Sequence, residues 1–155
     1  TVSVDLNHRA AVWSAEDAAP VMRELARRAD VVLANDAEAA MVVGEEEAEA
    51  ALRALSQLGS QHTFVKLGER GALAAIEGDL HRIEAVDVEM VDPVGAGDAF
   101  AAGYLTGLLE GLPVEQRLRR AALAGAFAVT VPGDWEGLPT LDDLALLESI
   151  ERVTR

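Results

Sequence analysis

The sequence predicts an α/β fold: a sheet that begins parallel, ends in an antiparallel edge and carries helices on both faces. Three observations predict it. Short apolar or β-branched runs alternate with longer segments of helical period along the chain. Half of the residues are hydrophobic and only 4% are aromatic, which suits an aliphatic core of helices packed on a sheet. Midway along the chain, Glu77-Gly78-Asp79 separates two apolar runs, the mark of a hairpin.

The elements follow in order. Residues 2–4 form a short apolar run closed by Asp5, and read as a strand. Residues 15–28 place Val21, Met22, Leu25 and Ala29 at helical spacing. Residues 31–33 are a buried strand closed by Ala34 and Asn35. Residues 37–43 are a short helix ended by Gly44, and 45–58 a second ended by Gly59. Strands are expected at 63–67, 72–76 and 80–85, with 86–91 running on as extended chain to Asp92-Pro93. Two apolar helices, 97–109 and 114–131, and a polar-faced one, 141–150, complete the chain. No internal repeat or linker divides it, so residues 1–155 are expected to form one domain.

Composition excludes several classes of function. With 27 acidic residues against 13 basic ones, the net charge is −14. That balance opposes nucleic acids and anionic membrane surfaces, which need clustered Lys and Arg. An anionic ligand would therefore require local positive charge or backbone N–H donors. There is no cysteine, and the three histidines are scattered, which removes disulfides, thiolate chemistry and a histidine zinc site. With no signal peptide and no membrane-length apolar run, a soluble cytoplasmic protein is the expectation.

The strongest local signal is Asp92-Pro93-Val94-Gly95-Ala96-Gly97-Asp98 running into an apolar helix. Small residues let a backbone approach a ligand closely, and a helix start offers unpaired N–H groups at its positive end. Asp98, in the first turn, either steadies the helix start or accepts a proton from a hydroxyl beside a bound phosphate. Asn35 and Glu38, three apart, spell a capping box. Lys66-Leu67-Gly68-Glu69-Arg70-Gly71 is a turn between strands or a loop with backbone room for a ligand. Gly133-Asp134 alone is a turn. The opening segment ends on polar Asp5, Asn7, His8 and Arg9, as a site would beyond the carboxyl end of a strand.

Residues 92–105 resemble the C-terminal signature of the ribokinase-like (PfkB) carbohydrate kinases. The resemblance runs from Val2 to about Ser149 and fits the second half of the family pattern, so a fragment without the β-clasp lid and first strands is expected. It implies a three-layer, Rossmann-type sheet and ATP-dependent phosphorylation of a small-molecule sugar or sugar acid. Asp98 would be the base, and Gly95, Ala96 and Gly97 the anion hole. Asn35 would lie at the nucleotide, with Glu38 organising Mg²⁺ through water. Lys66, Leu67, Gly68 and Gly71 would pass along the nucleotide. Asp5-Leu6-Asn7-His8-Arg9 with Trp13, and residues 133–139, are similar to the 2-keto-3-deoxygluconate kinases. In that branch Asn7 and Arg9 lie near nucleotide and substrate, and Asp134 contacts substrate. An Arg fork pairs with a carboxylate through two hydrogen bonds, which suits an acidic sugar at Arg9. Fructokinase-type and ribokinase-type kinases, and an inactive nucleotide-binding fragment, are the alternatives, and a homo-oligomer stays open.

Overall fold

The computed structural model describes residues 1–154, with side chains described through Ser149. It resolves into two compact units, Thr1–Arg82 and Ile83–Arg155.

The first unit holds β1 (Ser3–Asp5), α1 (Ala15–Arg28), β2 (Val31–Asn35), α2 (Asp36–Val43), α3 (Ala48–Ser56), β3 (His62–Lys66), β4 (Ala72–Ile76) and most of β5 (Asp79–Ile83). The strands form one sheet in the order β1-β2-β3-β4-β5. β1, β2 and β3 are parallel, with Asp5 opposite Leu33 and Asn35 opposite Lys66, whereas β4 runs antiparallel to β3. Strand alternation sends Val32, Ala34, Val65 and Ala75 to one face. There they pack with Ala18, Met22 and Ala26 of α1, Val42 of α2, and Leu52 and Leu55 of α3. Val31, Leu33, Phe64, Ala74 and Ile76, on the opposite face, are equally buried, so parallel and antiparallel strands alike are apolar on both sides. The β4–β5 connection is a two-residue turn with positive φ at both Glu77 (52°) and Gly78 (97°). That geometry matches the twist of a hairpin.

The second unit holds α4 (Ala96–Leu109), α5 (Val114–Ala128) and α6 (Leu141–Thr154). α4 and α5 run antiparallel at close range because α4 offers glycines to its partner. A Cβ at Gly103 would stand 2.9 Å from Arg120 O and 3.0 Å from Ala124 Cβ. Val86, Ala99, Leu123, Ala124, Ala128 and Leu144 form the apolar centre of this unit. The chain leading into α4 is tied down at its end. Val91 and Asp92 donate their N–H groups to Val129 O at 2.7 and 3.2 Å. The Asp92 carboxylate accepts from Val94 N at 3.0 Å and Gly133 N at 3.2 Å.

Helix limits differ from the sequence expectation at several ends, and at two of them a side chain sets the boundary. α3 starts at Ala48 and not at 45, because the Glu47 side chain accepts from Ala50 N at 2.7 Å and caps the helix there. α5 stops at Ala128, three residues before the expected end. There Thr130 turns its hydroxyl back to Phe127 O at 2.8 Å, and Pro132 follows.

Two predictions follow from this packing. Gly103→Ala should lower stability by about 1–3 kcal/mol through overpacking of α4 on α5, read as a shifted denaturant midpoint at constant slope. The second concerns acid. The Val94 amide, and after it the Gly133 amide, hold the Asp92 carboxyl below its ordinary value of 3.8. A lowered folded value means that the tie stabilises above the ordinary value and is lost as pH falls through the folded one. Unfolding curves from neutral pH down to about pH 2 should show Asp92→Asn less stable at neutral pH, with this part of the acid dependence gone.

Candidate functional site

In the second unit, the mouth of α4 is built by Gly95. Its φ of 78° is left-handed, which glycine adopts without cost. A Cβ there would overlap the backbone oxygen of Asp134 and lie 3.1 Å from its Oδ1. Gly95 is therefore small for the protein's own sake as well as for any ligand, and Asp134 is brought to the helix mouth. Ala96 N reaches Pro93 O at a long 3.4 Å, and Ala99 N bonds Gly95 O at 2.9 Å. Among the described residues, the amides of Gly95, Gly97 and Asp98 meet no acceptor. These donors lie at the positive end of a 14-residue helix. The Asp98 side chain is exposed and, among the described residues, enters no hydrogen bond or ion pair. It is thus not consumed in capping its own helix. Below the mouth, a Cβ at Gly125 of α5 would come 3.2 Å from Ala96 O.

In the first unit, the predicted residues gather at the carboxyl ends of β1, β2 and β3. Asn35 caps α2 by accepting from Glu38 N at 2.8 Å, and Glu38 Oε2 accepts from Asn35 N at 2.8 Å. The capping box is real. Glu38 is 6% exposed, and its other oxygen accepts from His8 N at 2.8 Å. That bond ties the loop after β1, with Asn7 at a φ of 44° and Arg9 exposed, to the start of α2. The Arg9 guanidinium has no partner among the described residues. Its carbonyl accepts from Val12 N and Trp13 N. Lys66 meets Asp5 Oδ2 at 2.5 Å across the end of β2. The 67–71 loop closes on itself, with Leu67 N on Gly71 O at 2.8 Å and Gly71 N on Gly68 O at 3.0 Å. Gly68 (φ 61°) and Gly71 (φ 84°) make that tight loop feasible. Arg70 clips it to Asp36 at 2.9 Å.

Sequence reasoning missed three contributors. Asp92 belongs to the signature, and Asp before Pro is a turn signal, but nothing local points to Gly133, 41 residues on. The bond from His8 to Glu38 and the Asp5–Lys66 pair likewise join residues 30 and 61 apart. The Asp5–Lys66 pair follows from strand register, and the other two from loops that meet only in the folded chain.

The donors suit a divalent cation in one respect only. Among the described residues, no group of three His, Cys, Asp or Glu could hold a metal. Both Glu38 oxygens already accept a backbone N–H, so a metal would fit there through water, the way Mg²⁺ is commonly held. No helix of the described residues is long and apolar enough to cross a membrane.

Comparison with known proteins bears on this arrangement. The 2-dehydro-3-deoxygluconokinase of Bacillus subtilis is 35% identical over 98% of this chain and 48% of its own length. A fructokinase of Escherichia coli is 34% identical over 92% of this chain and 49% of its own. The crystal structure of a putative ribokinase II from E. coli in complex with ATP and Mg²⁺ matches with a TM-score of 0.85 at 25% identity. It covers 96% of this chain and 48% of that one, and the shared fold is ribokinase-like. The chain spans about half the length of the curated relatives it matches. A model of the pfkB family carbohydrate kinases runs through residues 1–141, from the β1 loop past the α4 mouth to the start of α6, and the chain belongs to that family.

Proposed function

We propose that this chain carries the nucleotide-binding and phosphoryl-transfer residues of an ATP-dependent sugar kinase, and that residues 1–155 act as one catalytic half. The observation that carries the proposal is the exposed Asp98 carboxylate beside amides that lack acceptors. Phosphoryl transfer asks for positioning and charge stabilisation more than for covalent help. The acceptor hydroxyl oxygen bonds to the γ-phosphorus, the bond to the bridging oxygen of ADP breaks, and Asp98 takes the hydroxyl proton. The amides of Gly95 and Gly97, with that of Asp98, hold charge on the transferred oxygens, and Ala96 joins them if it leaves Pro93. Asp92 and Asp134 keep this turn in place. Asn7, Asn35, Lys66, Leu67, Gly68 and Gly71 line the nucleotide, with Lys66 positioned by Asp5. Mg²⁺ held through water at Glu38 would neutralise phosphate charge.

The acceptor we favour is 2-keto-3-deoxygluconate, phosphorylated at its 6-hydroxyl. Arg9, exposed and without a protein partner among the described residues, is available to a sugar carboxylate. In a protein of net charge −14, such a local cation is what an acidic substrate needs. Asp134 would meet the acceptor from the α4 mouth. A neutral acceptor is the second reading, because the fructokinase of E. coli is as similar (34%) as the deoxygluconokinase (35%).

In the full-length protein, Asp98→Asn should lower kcat by about 10²–10⁴-fold while the Kd for ATP hardly moves. Retained turnover would remove Asp98 from the base role. Rates on 2-keto-3-deoxygluconate, fructose and ribose decide the acceptor. The sugar acid should give the highest kcat/KM, and Arg9→Ala should raise its KM by about 10–100-fold. Equal loss on fructose would favour the neutral acceptor.

A further inference from the structure

We infer that Glu38 is a positioning residue for the acceptor side of the site, acting through the β1 loop. The inference rests on the proposed role of Arg9. Glu38 is nine-tenths buried and divides its two oxygens between two segments: Oε2 takes Asn35 N and Oε1 takes His8 N, each at 2.8 Å. The first bond is local and completes the helix cap. The second reaches back 30 residues and caps nothing.

What it holds is the turn between Asn7 and Arg9. Asn7 sits at a φ of 44°, a conformation that costs a side-chain-bearing residue free energy and persists only where its surroundings impose it. On the far side of the same loop, the Arg9 carbonyl accepts from Val12 and Trp13, and the His8 ring meets Trp13 O at 3.2 Å. The backbone at residue 8 is therefore fixed from the Glu38 side, and the Arg9 side chain leaves it one residue later. A carboxylate is the group required. It offers an acceptor to both amides, whereas a Gln amide offers one oxygen and would turn an N–H₂ donor toward the second. A residue identified by its local spacing as a cap, and by resemblance with metal, thus also sets where the acceptor's cation stands.

The test is Glu38→Gln in the full-length protein, read in two ways. Amide hydrogen exchange of the wild type should find His8 N–H protected against Asn7 and Arg9, and the variant should lose that protection. Measured at saturating Mg²⁺, so that any change in metal requirement is set aside, the KM for 2-keto-3-deoxygluconate should rise about tenfold. Added to Arg9→Ala, Glu38→Gln should raise that KM no further, because both act through one cation. An unprotected His8 amide in the wild type would overturn the inference even if the variant failed to fold. So would a variant whose only change is a higher Mg²⁺ requirement. If Arg9→Ala leaves the acceptor KM unmoved, the proposed role of Arg9 fails and the acceptor side of this inference with it, while the His8 exchange still decides whether the brace exists.

Discussion

The left-handed backbone at Gly95, with the Asp134 carbonyl filling the space a side chain would need, is the constraint on which the rest of the catalytic proposal depends. It makes the chain enter α4 abruptly, so that successive amides are left without internal partners while Asp98 stands exposed in the first turn. A side chain at this position would push Asp134 away and unfold the turn that Asp92 holds from the other side. The donors are thus fixed before any ligand arrives. Preorganised dipoles need no rearrangement as charge develops, which is where their catalytic value lies.

The electrostatics of the chain are consistent with this economy. A protein with 27 acidic and 13 basic residues has few cations to spare, and many of them are committed to neighbouring carboxylates. Lys66 lies on Asp5, Arg70 on Asp36, Arg120 on Glu110 and Arg53 on Glu49. Attraction for an anion is then left to backbone N–H groups, which carry no formal charge, and to the cations that face no carboxylate among the described residues, Arg9 being one of them. The same scarcity explains why the buried Glu38 is satisfied by amides and not by a cation. Two hydrogen bonds from backbone donors offset much of the cost of burying a carboxylate.

Much of the fold was legible because local chemistry and topology agreed. α1 begins and ends where its spacing predicts, with Ser14 accepting from Asp17 N at its start. Gly44 closes α2 with a φ of 80°, and Glu77-Gly78 forms the expected hairpin turn. The parallel-then-antiparallel order followed from the element sequence. Two of the helix limits that differed, the start of α3 and the end of α5, lie where side chains chose the boundary, at Glu47 and Thr130. The site was legible as residue types: Asp98, the small residues before it, and the Asn35–Glu38 pair. Its cross-links were not. Whether Lys66 faces Asp5 depends on the alignment of β1, β2 and β3, a tertiary property with no local mark. The capping box, by contrast, was visible in four letters, yet half of Glu38's work lay with a partner in a different loop.

Gly125 carries a consequence that reaches beyond its own helix. It lies in the last turn of α5, distant in sequence from the signature, yet the space its missing side chain leaves is taken up by the carbonyl of Ala96. Any bulk introduced there presses on the peptide unit that joins Ala96 to Gly97, tilting one of the dipoles at the helix mouth where a phosphate is proposed to sit. On the proposed mechanism, turnover would then depend on a position outside the residues assigned to either ligand, one that has to stay free of a side chain for the helix mouth to keep its shape.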